Sequence, residues 1–324
     1  MAKIIIASNG NRFVEAMFLD LLESEEVILW NKEYYFKNKI EYFLFKIHTS
    51  KKINNIIKIP KKEIWFKKHN YARAYPFSDS DSYHIIMFNP SFEFYPEDDL
   101  INLAKKDNIE ISVVLIDSCK KKETQLFEYF RTKIKFKSVT TFDKSDAEEY
   151  KFEYSHEMYS RFPVANKSKI RYSDIYFIGY NKGRANKICE LERRLSAEGV
   201  KCDFTINGSL EEISEVDNPN VHTDRYASYQ DVIDEIQGTR CIFEMLQEGQ
   251  RGTTLRYYEA VCYNKKLLTN NTDIVSYPYY DSSYMKIYTN IEDIDVEWIM
   301  EPITVDYKYR GEFSPLYYLK KISV

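Results

Sequence analysis

Between Arg240 and Asn271 the chain reads RCIFEMLQEGQRGTTLRYYEAVCYNKKLLTNN. Its residue types suit one task, holding a phosphorylated ligand at the start of a helix. Cys241–Leu246 is a short apolar and aromatic run that predicts a buried strand. Gln247 to Gly252 then supplies Gly249 and Gly252 around Gln250 and Arg251. From Thr253 the pattern turns helical, with Leu255, Tyr258, Ala260 and Val261 inward, and Lys265–Thr269 predicts the next strand. Strand, glycine-bearing loop, helix and strand form a βαβ unit, whose helix N-terminus is a ready anion site. Thr253 and Thr254 can cap that helix and donate hydroxyls, and Arg256 adds a forked cation near its first turn. Glu259 is suited to accept from a sugar hydroxyl. The set suggests a nucleotide diphosphate. The same spacing also fits an ordinary capped helix carrying a surface Arg256–Glu259 pair at i,i+3.

A second unit of this kind lies upstream. Asp174–Gly179 predicts a strand, YNKGR a loop, and Ala185 to Glu198 a helix closed by Gly199, with a strand over Val200–Ile206. Gly179 and Gly183 allow close backbone approach there, while Lys182 and Arg184 bring charge. Tight strand-to-helix turns use glycine in any case. Tyr229–Gln237 predicts the helix leading into the central strand. A strand near Met285–Tyr288 follows, and Ser314-Pro315 opens a last helix over Leu316–Ile322.

In the first half, strands are expected at Lys3–Ser8, Val27–Trp30, His84–Phe88, Ile111–Ile116 and Val139–Phe142. A helix is expected from about Arg12 to Ser24, with Phe13, Ala16, Met17, Leu21 and Leu22 on one side. Pro96 and the acids after it start another. Ile40–Ile47 and Ile53–Ile59 fit helix or strand. Active groups of parallel sheets gather beyond the carboxyl ends of strands, which nominates Asp117, Glu93 and the Ser8–Asn11 turn as places for a catalytic base. Each also has a structural explanation.

The words GQRGTTLRYYEA and NKKLLTNN resemble a segment of bacterial GT-B glycosyltransferases of surface-polysaccharide (lipopolysaccharide or capsule) synthesis. Gln250, Gly252, Thr254, Arg256, Glu259, Ala260 and Lys265 to Asn270 fit that pattern position by position. FIGYNKGR looks like the phosphate loop of the second domain in such enzymes. TTFDKSDAEEYKFEY resembles a segment near their hinge. The resemblance implies an α/β fold of the GT-B type, two Rossmann-like parallel-sheet domains facing across a cleft. It places an acceptor-side domain at 1–165 and a nucleotide-sugar domain at 166–324, with VANKSKIRYS as linker and the last helix, about 314–322, packing back on the first domain. It implies that Gly252, Thr253, Thr254 and Arg256, with Lys182, Gly183 and Arg184, hold the donor diphosphate. Glu259 would take the ribose hydroxyls. Arg251 stands where many such enzymes carry a first Glu, so Gln250 or Glu248 would meet the sugar. No cofactor and no metal is implied; Asp79-Ser80-Asp81 has the letters of a metal motif but lies in a polar loop of the wrong half.

At 324 residues two domains are the default. Five cysteines without metal-ligand spacing fit reduced core residues of a cytoplasmic protein, and the scattered histidines form no zinc motif. A net charge of −4 argues against a nucleic-acid binder. From Asn31 to Arg73, however, twelve Lys and Arg face three Glu among many aromatics. Such a surface can lie against anionic lipid headgroups, placing the protein peripherally on the inner face of the membrane; a solvated face over core aromatics and single-stranded RNA are the other readings. The opening residues form a short strand rather than a signal peptide, and no apolar run reaches spanning length. Three function classes follow: a glycosyltransferase moving sugar from a nucleotide-sugar to a glycan or glycolipid acceptor, a nucleotide-sugar epimerase on the same fold, and a non-catalytic partner in polysaccharide assembly.

Overall fold

The computed structural model describes residues 2–22, 24–30, 36, 38–61, 64–65, 69–116, 119, 125–156, 158–163, 170–223, 228–247 and 253–322. The chain divides into two compact units, Met1–Ser160 with Phe313–Val324, and Arg161–Glu312. The division falls after Ser160, a little before the expected boundary at 165.

Among the described residues, the first unit carries a six-stranded sheet in the order β2-β1-β3-β4-β5-β6. The strands are β1 (Lys3–Ile6), β2 (Val27–Leu29), β3 (Tyr83–Phe88), β4 (Ile109–Leu115), β5 (Val139–Thr141) and β6 (Glu153–Tyr154), all paired in parallel. Its helices include α1 (Arg12–Met17), α2 (Lys39–Thr49), α3 (Glu97–Ala104), α4 (Gln125–Arg131) and α5 (Lys144–Tyr150). Alternate residues of the strands feed two cores. Ile5, Ile85, Ile111 and Val113 face one, and Ile6, Ile86, Phe88 and Val114 the other. A sheet buried on both faces explains the unbroken apolar runs in its strands.

One expected helix is cut short and one open choice is resolved. The helix from Arg12 stops at Met17, and a separate 3-10 turn covers Leu19–Leu21. The buried Ser160 hydroxyl donates to Met17 O at 2.6 Å and accepts from Asp20 N at 3.0 Å, serving groups a continuous helix would pair itself. Ile40–Ile47 is helical, started by Asn38, whose side chain accepts from Ile40 N at 2.9 Å. Asp143, in the hinge-like segment, caps α5 by accepting from Ser145 N and Asp146 N.

The second unit has a parallel sheet in the order β12-β11-β10-β7-β8-β9. Its strands are β7 (Ser173–Tyr180), β8 (Cys202–Asn207), β9 (Val221–Thr223), β10 (Thr239–Glu244), β11 (Lys266–Thr269) and β12 (Met285–Ile287). Helices α6 (Ala185–Ala197), α7 (Tyr229–Gly238) and α8 (Leu255–Tyr263) connect them. Phe177, Phe204, Phe243 and Tyr288 stack through the core, with Phe204 and Phe243 nearly parallel at 5.9 Å. The central strand begins two residues earlier than its apolar run suggests, because Thr239 and Arg240 join the ladder and Met245 leaves it.

The last helix, α9 (Pro315–Ile322), belongs to the first unit. Tyr318 and Leu319 enter the core around Ile6 and Val114, the Tyr318 and Thr140 hydroxyls lie 3.2 Å apart, and Ser314 donates to Asp20 at 2.6 Å. Two doubly wound, Rossmann-like units, with the final helix returned to the first, make up the chain.

Candidate functional site

Each sheet reverses its strand order once, between β1 and β3 in the first unit and between β7 and β10 in the second. Ligands of open parallel sheets bind beyond the carboxyl ends of strands at such points.

In the second unit β7 runs into Asn181, Lys182, Gly183 and Arg184. Asn181 is buried, and its Oδ1 accepts from the amides of Arg184 at 3.0 Å and Ala185 at 2.8 Å, capping α6 from within. Its Nδ2 donates to Glu212 O and Glu215 Oε2. The turn apex is then forced left-handed, with φ of 46° at Lys182 and 77° at Gly183, and both residues are exposed. Glycine meets that demand without strain.

Arg184 does something other than expected. Nε donates to Asn181 O at 3.2 Å, Nη2 to Tyr180 O at 2.5 Å, and Nη1 to Met245 O. Burial pushes its pKa down from the usual guanidinium range. The guanidinium therefore ties the loop after β7 to the loop after β10. Arg184 is a brace between the two loops rather than an arm extended to phosphate.

The loop after β10 leads to α8. Thr254 is the N-cap of α8, accepting from Arg256 N at 3.2 Å, and Thr253 accepts from Tyr258 Oη at 3.1 Å. Thr254 also donates to Glu244, a buried carboxylate at the end of β10 that receives Thr269 on its other oxygen. Burial raises the Glu244 pKa, opposed by the two hydroxyls and by the charges of Arg256 and Arg184. Asn270 closes the floor, its Oδ1 accepting from Leu246 N at 2.7 Å.

Arg256 and Glu259 do pair at i,i+3, but inside the unit rather than on its surface. Arg256 Nη1 lies 2.6 Å from Glu259 Oε2. Tyr229 Oη donates to Glu259 Oε1 at 2.8 Å. Glu259 is wholly buried, whereas the Arg256 side chain retains 16% exposure. Burial raises the Glu259 pKa, with the Arg256 charge and the Tyr229 hydroxyl pulling it back. With a partner on each oxygen and no solvent contact, the Glu259 carboxylate is tied to Arg256 and Tyr229 at the start of α8.

In the first unit, Ser8, Asn9, Gly10 and Asn11 after β1 meet Ser91, Glu93 and Phe94 after β3 around a pocket of about 240 Å³. Asn9 and Gly10 are left-handed, with φ of 51° and 76°. Ser91 Oγ donates to Ala7 O at 2.6 Å and holds the two loops together. Ser8 Oγ donates to Glu15 Oε1 at 2.9 Å. Two of the places nominated for a base, Glu93 and the Ser8–Asn11 turn, thus share one pocket. Asp117, Gln250 and Gly252 lie outside the described residues, as do Glu248 and Arg251.

Glu244 and Tyr229 are the site residues that pattern reading passes over. A Glu closing an apolar strand, with Thr near the start of the next helix and Thr at the end of the next strand, is the signal that could have found the first.

No family model matches the chain, and no curated protein matches its sequence. Solved structures similar in fold include UDP-N-acetylglucosamine 2-epimerase from Rickettsia bellii, at 10% identity over 100% of this chain and 96% of that chain, TM-score 0.49. The E. coli structure described as trehalose-6-phosphate bound with UDP-2-fluoro glucose is 10% identical over 93% and 84%, TM-score 0.42. E. coli ADP-heptose lps heptosyltransferase II is 11% identical over 92% and 96%, TM-score 0.38. Transferase and epimerase stand side by side among them, and at these values the likeness carries no argument about the reaction.

Proposed function

We propose that the chain is a nucleotide-sugar glycosyltransferase that works without a bound metal and whose acceptor is a lipid-linked, lipopolysaccharide or capsule glycan. One observation supports this most. The exposed Lys182–Gly183 turn and the Thr254-capped start of α8 leave adjacent strands at one switch point, and Arg184 braces their two loops together. Sugar transfer leaves a diphosphate behind, and its charge needs fixed donors and cations. The turn amides, Lys182 and the positive start of α8 with Arg256 supply these in this reading. Acceptor deprotonation is assigned to the pocket of the first unit, with Glu93 as the base. Gln250 and Gly252, which lie outside the described residues, are added to the donor site by the resemblance alone.

The test is turnover. Nucleotide-sugars with different bases are incubated with the protein, with and without lipopolysaccharide or a bacterial lipid extract, and both released nucleoside diphosphate and sugar configuration are followed. The reading requires acceptor-dependent release of diphosphate that a metal chelator leaves unchanged. Sugar isomerised without acceptor would identify an epimerase instead. No turnover of any donor by folded protein would move the chain to the non-catalytic class.

A further inference from the structure

Helix α2 turns its larger apolar face away from the protein. Its inward contact is Phe45, in a small aromatic cluster: Phe45 lies 4.9 Å from the Phe36 ring and 6.0 Å from Trp65, and His69 packs on Phe36 at 4.6 Å. Trp65 Nε1 donates to His48 Nδ1 at 2.8 Å, and His48 Nε2 bonds Pro60 O at 2.8 Å, locking the helix to the following segment. On the other side Ile40, Phe43, Leu44 and Ile47 recur at i, i+3, i+4 and i+7. They are 69%, 62%, 49% and 36% exposed. At helical spacing they form one stripe ~100° wide, and exposed Lys39 and Lys46 run along one border of it. Single exposed apolar residues need no explanation, but four on one helical stripe do. Ile56, Ile57 and Ile64 add further exposed aliphatic surface in the same segment, beside exposed Lys58 and Lys61.

We propose that the outward stripe of α2 beds into the interfacial layer of an anionic bilayer, the helix axis lying in the membrane plane. The exposed Lys39 and Lys46 beside it, with Lys58 and Lys61, then meet lipid phosphates. Charge selects this occupant: the segment holds nine more cations than anions in a chain of net charge −4. RNA would need several outward rings for successive bases to stack on, whereas the described outward stripe is aliphatic apart from Phe43, and Phe36, Phe45, Trp65 and His69 pack on one another. The inference extends the glycolipid-acceptor reading above and rests on it for its purpose, but its test needs no nucleotide.

Full-length protein is sedimented with vesicles of phosphatidylcholine alone and of phosphatidylcholine mixed with phosphatidylglycerol, at low and high salt. Binding to the mixed vesicles, weakened by salt, is expected. The double variant Ile40→Ser with Phe43→Ser should lose at least about tenfold in partitioning, because both side chains would leave the apolar layer. Lys39→Ala and Lys46→Ala should each lose about fivefold on the mixed vesicles. All four side chains are exposed, so unchanged thermal melting checks folding, and because vesicle binding is read without nucleotide, its failure is distinct from a failure of the donor site. Equal binding to neutral vesicles, or none to either, overturns the inference. So does a dimer in light scattering that the double variant converts to monomer.

Discussion

A carboxylate sealed from water between one hydroxyl and one guanidinium tolerates little change. Removing Arg256 leaves Glu259 buried without its cation, so Arg256→Ala should destabilise the second unit by about 3–5 kcal/mol, seen as a lower denaturation midpoint before any effect on ligand is considered. Glu244 offers a pH test. Its folded pKa is raised above the ordinary 4.5, first by burial. Just above that value the folded chain keeps a proton the unfolded chain has released, so this group's contribution to stability falls as pH climbs and levels off beyond the folded pKa. Glu244→Gln has no such proton, and its stability relative to wild type should improve as pH is raised from about 4 to 7 in paired urea titrations. A parallel dependence in both proteins would show that Glu244 stays ionised. The Thr254 cap was legible because Ser and Thr before a helix have a fixed task. The burial of Glu259 was not: every residue from Tyr257 to Tyr263 in α8 is buried, so the helix has no apolar side from which its orientation could be read.

Elements were legible where local chemistry decides them. Gly199, expected to end the helix, closes α6 with φ of 85°. They were illegible where a distant side chain intervenes, as when Ser160 takes over the backbone groups at the break after α1. Gly238, at the end of α7, shows the same long reach. A Cβ built there would sit 1.9 Å from Arg171 O and 2.8 Å from an Ile170 side-chain carbon. Gly238→Ala should cost at least about 1–3 kcal/mol as an overpacked contact, because a backbone carbonyl cannot rotate aside. Thermal unfolding measures it, and a variant as stable as wild type would mean that this corner is not packed as described.

For the chain as a whole, alternation of short apolar runs with amphipathic stretches gave βαβ units, the resemblance implied two parallel sheets, and two doubly wound sheets are present among the described residues. What alternation could not give is which loops become neighbours. Strand order alone puts the turn after β7 beside the loop after β10, though their sequences lie some sixty residues apart, as the bond from Arg184 to Met245 shows. The same ordering brings Glu93 to the Ser8–Asn11 turn. The proposed function depends on the first of these meetings. Thermal shift of the purified protein with UDP, GDP, CDP, ADP and CMP, repeated on Lys182→Ala, examines it most directly. Stabilisation by one diphosphate, weaker for the monophosphate and reduced in the Lys182 variant, is the predicted result; no shift with any nucleotide, or a shift indifferent to Lys182 and to the second phosphate, would contradict it.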